Sequence, residues 1–330
     1  MSYIELNKSA FIHNLDIIAQ KTADKDKIAL VLKDNAYGHG LLEIATMARE
    51  YGISRAVVRT QAEATQIKEY FKYILILAPI FPVTATKNFI YTINSLEEIS
   101  KFPSPSRVEL KVDTGMHRNG INMGEVDEAL DMIDKQGLSL EAIFTHYRSA
   151  DTISAEWFWQ KKNFESLKSK RPGIRFHSCN SAAIFRENNF DEDMVRVGIA
   201  AYGCLQMDRG FEVTGLKPVL SLMAEKISSR VLRQGEKVGY NASYEAHEDM
   251  KIANYDIGYA DGFPRLLSNT YHTPDGDELL GRVSMDNSSY KSDKEKLLIF
   301  DDANEIATYA GTIGYEILTS LSPFLKRNIV

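Results

Sequence analysis

Cysteine and tryptophan are the scarcest residues of this 330-residue chain, with two of each. Cys179 and Cys204 can build neither a disulfide framework nor a metal-ligand spacing. The longest apolar run, residues 74–81, is interrupted by Pro79 and is too short to cross a bilayer. The N-terminus has no basic region followed by an apolar stretch, so no signal peptide is expected. We therefore expect a reducing, cytoplasmic location.

An excess of positive charge is also missing. The net charge is −6, and the lysines and arginines are scattered along the chain. This argues against nucleic acid or an anionic membrane as the main partner. The hydrophobic content of 44% and the charged content of 25% are typical of a folded chain, and the length indicates about two domains.

Short β-branched runs alternate with helical periodicity between about residues 25 and 205. About eight such units predict an α/β fold in which a parallel sheet closes into a (β/α)8 TIM-type barrel. The predicted strands are residues 28–32, 55–58, 73–77, 89–93, 108–112, 140–144, 175–177 and 194–197. The main predicted helices are residues 41–51, 61–71, 126–135 and 154–169.

The pattern changes after about residue 215, where short β-like runs are separated by Gly, Pro, Asp and Asn. We assign residues 1–215 to the barrel and residues 216–330 to a C-terminal, mostly β domain. Residues 1–7 are a candidate strand of that second domain. Its predicted strands are residues 220–231, 251–257 and 282–284, and its predicted helices are residues 302–306 and 316–321.

The stretch from Ala29 to Gly40, A-L-V-L-K-D-N-A-Y-G-H-G, has a single cation, Lys33, at the end of a buried strand. Burial favours the neutral amine, which is the nucleophilic form and can make a Schiff base with a carbonyl compound. Barrels carry their chemistry at the carboxyl ends of the strands. Lys111, His146 and Arg196 also fall at or beside predicted strand ends, which predicts one site at this end of the barrel.

The hexapeptide N-A-Y-G-H-G at residues 35–40 resembles the cofactor-binding signature of alanine racemases, which use pyridoxal 5′-phosphate (PLP). The similarity continues in the family's order through K-V-D-T-G-M-H-R-N-G, F-T-H-Y, H-S-C-N-S-A-A, V-R-V-G-I-A-A-Y-G and V-G-Y-N-A-S-Y, and spans about residues 3–320. The resemblance implies an isomerase that interconverts L- and D-alanine with PLP and supplies D-alanine for peptidoglycan. It also implies a homodimer whose two active sites are shared between the subunits.

The resemblance implies roles for individual residues. Lys33 holds the cofactor and serves as one catalytic base, and Tyr240 serves as the other on the opposite face. Arg118 and the backbone of Met285 bind the substrate carboxylate, and Tyr259 narrows the entrance. Lys111 is implied to be carbamylated. The implied cofactor-binding residues are Lys33, Tyr37, His146, Asn180, Ser181, Arg196, Tyr202 and Tyr315.

Arg196 is implied to face the pyridine nitrogen, where an arginine disfavours protonation. The cofactor is then a weaker electron sink, which favours proton exchange at Cα over transamination. His146 is implied to link the catalytic tyrosine to Arg196. Asn180 and Ser181 also read as a helix cap, and Ser181 is the stronger phosphate candidate.

The chain departs from the family pattern at His117, Asn119, Val197 and Asn241. Asn241 replaces a common glycine, and asparagine tolerates a positive φ nearly as well. Two alternatives remain open from the sequence. One is a serine or broad-specificity amino-acid racemase. The other is a non-catalytic PLP-binding protein, a class of single barrels without the β domain that supplies Tyr240.

Overall fold

The computed structural model describes residues 1–211, 213 and 215–330. Its strands are β1 (Tyr3–Leu6), β2 (Ile28–Val31), β3 (Arg55–Val58), β4 (Tyr73–Ile76), β5 (Phe89–Ile93), β6 (Arg107–Asp113), β7 (Ile121–Asn122), β8 (Ser139–Phe144), β9 (Phe176–His177), β10 (Val195–Val197), β11 (Leu220–Leu232), β12 (Lys237–Val238), β13 (Tyr244–Glu245), β14 (Met250–Tyr255), β15 (Glu278–Leu280), β16 (Ser288–Lys291), β17 (Lys296–Phe300) and β18 (Lys326–Ile329). Its α-helices are α1 (Lys8–Thr22), α2 (Lys33–Tyr37), α3 (Leu41–Tyr51), α4 (Gln61–Ile67), α5 (Leu96–Ile99), α6 (Val126–Lys135), α7 (Glu156–Lys168), α8 (Ser181–Arg186), α9 (Ala303–Ala310) and α10 (Gly314–Ser320).

Eight parallel strands form the barrel in the order β10-β2-β3-β4-β5-β6-β8-β9, and β7 extends β6. The first and last strands of this order are joined by two backbone hydrogen bonds. The Arg196 N–H donates to Cys179 O at 3.0 Å, and the Asp193 N–H donates to Phe176 O at 3.3 Å. The predicted barrel is confirmed.

Several of the barrel strands are covered on both faces. Every residue of β2, β4, β5 and β10 is buried. In a parallel sheet with helices outside and side chains filling its interior, the sequence of each strand is a continuous apolar run. The helices bury one face each, and α3 buries the predicted positions 41, 44, 45 and 48. The predicted helix 61–71 is shorter and ends at Ile67, where a turn begins.

The second domain is a mostly antiparallel sheet in the order β15-β16-β14-β11-β1-β18, with β17 also pairing with β11. The N-terminal strand β1 runs antiparallel to β11 and parallel to β18. The predicted strand 282–284 is wrong. These residues lie in the loop between β15 and β16, because Ser284 turns back through a hydrogen bond from its N–H to Asn287 O at 2.9 Å.

The second domain packs beside the mouth of the barrel. Helix α10 contacts α2, and a side chain of β18 reaches the turn that follows α2. The ribbon β12–β13 carries a short 3-10 helix, Tyr240–Ala242, between its strands. No helix among the described residues is long and apolar enough to cross a membrane.

Candidate active site

Lys33 lies two residues after the last residue of strand β2, at the carboxyl end of the barrel strands. It begins the short helix α2, in which the backbone turns left-handed. Asp34, Asn35, Ala36 and Tyr37 all have φ between 51° and 57°. Left-handed helical backbone costs an L-residue roughly 1–2 kcal/mol. Four such residues in succession therefore need support from their surroundings.

That support comes from three directions. Glu63 accepts a hydrogen bond from the Asp34 N–H at 2.7 Å, and the Asn35 side chain accepts one from the Leu41 N–H at 2.8 Å. Arg327 of β18 donates twice to Gly38 O, from Nε at 3.1 Å and from Nη2 at 2.8 Å. Residues from both domains thus hold the turn that presents Lys33.

Four positive side chains surround a buried histidine. Burial and the charges of Arg196, Lys111, Arg118 and Lys33 lower the pKa of His146 to about 3. Burial and the neighbouring Arg118 and Arg196 lower the pKa of Lys111 to about 8. His146 is therefore neutral at ordinary pH, and this cationic group suits a ligand with several negative charges. The predicted residues Lys33, Lys111, Arg118, His146 and Arg196 are brought together here.

Arg196 is 5% exposed and is held by an ordered set of acceptors. Its Nη2 donates to Thr145 O at 2.6 Å and to Ser178 O at 3.1 Å. Its Nη1 donates to Nδ1 of His177, whose Nε2 lies 2.9 Å from Oε2 of Glu109. Among the described residues, the bonded imidazole is thus His177. His146 has no hydrogen bond to Arg196 among the described residues, and the charge of Arg196 helps to lower the pKa of His146.

A small cradle lies between α8 and the loop that follows β10. The Ser181 Oγ accepts hydrogen bonds from the N–H groups of Gly198 at 3.0 Å and Ala200 at 3.4 Å. Its own O–H remains available as a donor. A Cβ on residue 198 would lie 2.9 Å from the Tyr37 Oη, so glycine leaves the space that this hydroxyl occupies.

Asn180 and Tyr202 support this cradle, and the polar groups of both side chains already have hydrogen-bond partners within the protein. The Asn180 side chain accepts from the Ala183 N–H at 2.9 Å and donates to Tyr147 O at 3.3 Å, so the predicted helix cap is confirmed. The Tyr202 hydroxyl donates to Val31 O at 2.9 Å. Both side chains therefore fix the backbone around the cradle.

Aromatic rings connect the cradle to the second domain. Tyr37 packs against Tyr202 at 5.5 Å and against Tyr315 of α10 at 5.8 Å between ring centroids. Burial raises the pKa of both Tyr37 and Tyr315. Their hydroxyl groups are therefore hydrogen-bond donors at ordinary pH.

The loop after β6 carries Arg118, the exposed member of the cationic group. Asp113 accepts from the N–H groups of Gly115 at 2.9 Å and His117 at 3.0 Å, and its Oδ2 lies 3.2 Å from the His117 ring. His117 has a φ of 53°, a left-handed conformation that suits the glycine usual there. The bonds to Asp113 compensate for the departure from glycine at this position.

Three predicted residues belong to the second domain and are exposed. Tyr240, Tyr259 and Met285 are 64%, 44% and 54% exposed. Tyr259 and Met285 are adjacent, because the Met285 carbonyl accepts from the Ala260 N–H at 2.9 Å. Asn241 has a φ of 61°, the conformation expected when asparagine replaces glycine. No contact among the described residues joins Tyr240 to Lys33 within one chain.

Three residues that the motifs do not predict also contribute to this site, namely Glu109, His177 and Arg327. Charged residues at 107, 109, 111 and 113 occupy alternate positions of β6, and Glu109 and Lys111 are buried. Alternation of that kind in a barrel strand indicates side chains that point into the interior. This signal was available in the sequence for Glu109, whereas its partner His177 lies 68 residues away.

The fold and the site define a barrel enzyme built around a strand-end lysine with an anion-binding cradle. A family model described as alanine racemase, N-terminal domain, matches residues 6–206, and one described as alanine racemase, C-terminal domain, matches residues 219–329. An alanine racemase of Campylobacter curvus is 44% identical, with 100% of both chains covered. The chain therefore belongs to the alanine racemase family, as its motifs predict.

Solved structures agree on the fold. An alanine racemase of Clostridium difficile 630 has a TM-score of 0.92 and 28% identity, covering 100% of this chain and 95% of that one. A histidine racemase of Leuconostoc mesenteroides has a TM-score of 0.89 and 26% identity, covering 100% of this chain and 98% of that one. The backbone fold is thus shared by racemases of different amino acids.

Proposed function

We propose that this chain is a PLP-dependent isomerase that interconverts L- and D-alanine, the activity named for its family. The observation that carries the proposal is the position of Lys33 in a group of cations at the barrel mouth, beside a glycine-lined cradle. The presence of a complete second domain, which carries Tyr240, disfavours a non-catalytic single barrel. Family membership implies that the D-alanine supplies peptidoglycan, and the cytoplasmic location stays a prediction.

The residues present fit PLP, the cofactor that the family implies. Lys33 would hold it covalently through Nζ. The hydroxyls of Ser181 and Tyr37 would donate to the phosphate, and the absence of a Cβ on residue 198 supports this, because it leaves room for the Tyr37 hydroxyl beside Ser181. Arg196 would face the ring nitrogen. When bound, the cofactor withdraws the negative charge that forms at the substrate Cα.

Arg196 limits how far that charge is withdrawn. A guanidinium keeps its proton at all ordinary pH values and can only donate. Its bonds to His177, Thr145 and Ser178 hold the guanidinium in place. Its remaining N–H group can then donate to the cofactor ring. As a donor that keeps its proton, Arg196 would leave the ring nitrogen of a bound cofactor unprotonated, which would favour return of the proton to Cα over side reactions.

Inversion at Cα requires a proton carrier on each face of the substrate. We assign Lys33 to D-alanine and Tyr240 to L-alanine. Arg118 would bind the substrate carboxylate with its planar fork, the Met285 backbone would assist, and Tyr259 would narrow the entrance.

A second copy of the chain would complete the site. Tyr240 is 64% exposed, and no described contact brings it to Lys33 of its own chain. A two-fold dimer buries the same patch on both copies and can create two equivalent shared sites. We therefore propose a homodimer in which each Lys33 meets the partner's Tyr240.

The test uses two variants, Lys33→Ala and Tyr240→Phe, with Tyr309→Phe as a control because Tyr309 is a similarly exposed tyrosine of the same domain. Conversion of each alanine enantiomer is followed by chiral chromatography, and Cα hydrogen exchange by proton NMR in D2O. Lys33→Ala should lose both. Tyr240→Phe should lose conversion but still exchange the Cα hydrogen of D-alanine. Full activity in either variant would rule out the two-base scheme.

The substrate range needs a separate panel, because the fold also serves a histidine racemase. We expect alanine to give the highest kcat/KM, in line with the 44% identical relative. Equal or higher values for serine or another amino acid would favour the broad-specificity alternative.

A further inference from the structure

We propose that Glu109 is a positioning residue that fixes the tautomer of His177 and thereby orients Arg196 toward the bound cofactor. The inference rests on the proposed function and extends it to a side chain that makes no contact at the barrel mouth. Glu109 lies two residues before Lys111 on β6, is 0% exposed, and points into the barrel interior.

Four side chains in a row carry the argument. The Tyr73 hydroxyl donates to Oε1 of Glu109, and Oε2 of Glu109 lies 2.9 Å from Nε2 of His177. On the other side of the imidazole, Nδ1 of His177 meets Nη1 of Arg196. The two ring nitrogens of His177 are thus placed between an acceptor and a donor.

Only one protonation state satisfies both contacts. A carboxylate can only accept, so Nε2 must carry a hydrogen. A guanidinium can only donate, so Nδ1 must offer its lone pair. The neutral Nε2–H tautomer meets both conditions, and the other tautomer or the imidazolium would set an N–H against the arginine N–H. Glu109 on one side and Arg196 on the other therefore favour the same tautomer, and Glu109 supplies the acceptor that holds Nε2–H.

The charges of the two residues agree with this state. Burial lowers the pKa of His177, which keeps the ring neutral. Burial opposes ionisation of Glu109, but its contacts with His177 and Tyr73 and the charge of Arg175 hold the pKa of its carboxyl below the usual value. A buried carboxylate and a buried guanidinium are thus joined through one neutral imidazole.

The ring of His177 is also held in its plane. It stacks on Phe144 with 4.9 Å between centroids and 9° between planes, and Arg196 lies over the same Phe144 ring at 5.1 Å. With both Nη groups bonded, Nε–H is the donor of Arg196 left without a bond among the described residues. The orientation that Glu109 imposes therefore selects the donor available to the cofactor.

The first test measures the tautomer itself. The holoenzyme is labelled with 15N-histidine, and the His177 signals are assigned from a His177→Gln variant. In the wild type, Nδ1 of His177 should give the unprotonated signal and Nε2 the protonated one. A protonated Nδ1 would overturn the proposal, and this outcome is independent of whether the protein racemises alanine.

The second test compares Glu109→Gln with Glu109→Leu. Glutamine can still accept from Nε2–H, so Glu109→Gln should keep the tautomer and the absorption band of the bound cofactor. Leucine removes the acceptor, so Glu109→Leu should give a mixture of tautomers, a shifted band and a kcat lower by about ten-fold, the effect of losing one charge-assisted hydrogen bond. The proposal fails if Glu109→Leu keeps the wild-type tautomer and band.

Tyr73→Phe provides the matched control, because it removes the other bond to the carboxylate and leaves Glu109 in place. It should lower thermal stability without moving the tautomer or the band. The double variant Tyr73→Phe with Glu109→Leu leaves no unpaired hydroxyl beside the leucine, and it replaces Glu109→Leu if the single variant does not fold. Faster alanine conversion by Glu109→Gln than by Glu109→Leu would support the proposal that residue 109 positions His177 by accepting a hydrogen bond.

Discussion

Replacing Arg327 should loosen the turn that presents Lys33, although Arg327 lies 289 residues away from that turn in the sequence. Its guanidinium donates twice to Gly38 O and also donates to Leu325 O at 2.6 Å. The turn holds four residues in left-handed backbone, at roughly 1–2 kcal/mol each. The strain is therefore of the same order as the support that a few hydrogen bonds provide.

The magnitude follows from the bonds removed. A hydrogen bond to a charged donor contributes about 1.5–3 kcal/mol. Arg327→Met removes the charged donor from Gly38 O, so the free energy of local opening should fall by about 3 kcal/mol, and the open state should be about 100-fold more populated. Arg327→Lys keeps one donor and should give about a ten-fold increase.

Amide hydrogen exchange at Gly38, His39 and Gly40 measures this opening directly. Their N–H groups are bonded to Asp34 O, Ala36 O and Asn35 O within the turn itself. Arg107→Met is the control, since Arg107 bonds a carbonyl and a carboxylate at the opposite end of the barrel. The reasoning is refuted if Arg327→Met leaves exchange at these three amides within about threefold of the wild type.

Three further predictions follow from the site. Lys111 has a lowered pKa of about 8 and positive neighbours, so its neutral amine should take up carbon dioxide, and 13C-bicarbonate should give a carbamate signal that Lys111→Met lacks. His146 stays neutral in the folded state down to about pH 3, whereas the unfolded chain protonates it near pH 6.5. The free energy of unfolding should therefore fall as the pH drops through this window. Urea titrations should show a shallower fall for the His146→Gln variant. Gly198→Ala would place a Cβ 2.9 Å from the Tyr37 hydroxyl, so PLP should dissociate about ten-fold faster by fluorescence. Gly124→Ala gives the baseline for an added methyl group, because a Cβ there meets open space.

The barrel could be predicted because its strands are short buried runs between turn residues. Strands β3 and β5 begin and end at the predicted residues, since both faces of each are covered and the apolar signal is continuous. Residues 282–284 are also predicted as a strand but form none. Their backbone bonds to Ser268 and Asn287 instead, and such loop partners have no local sequence signal.

Some residues of the candidate site could likewise be predicted from the sequence, and others could not. The motifs located Lys33, Arg196 and Ser181, because each lies in a short contiguous pattern. The residues that hold them come from distant strands, as Glu109 does for Arg196 and Arg327 does for the lysine turn. Such partners depend on how the sheet closes and how the second domain docks, which a single sequence does not specify.

The central claim is that one proton carrier comes from each subunit of a dimer, and mixed dimers test it most directly. Lys33→Ala and Tyr240→Phe chains are each inactive in conversion by this account. Unfolding and refolding them together at equal concentration should make about half of the dimers mixed, and each mixed dimer has one complete site. Recovery of about a quarter of wild-type alanine racemisation is expected. No recovery, with mixed dimers confirmed by mass spectrometry, would contradict the account.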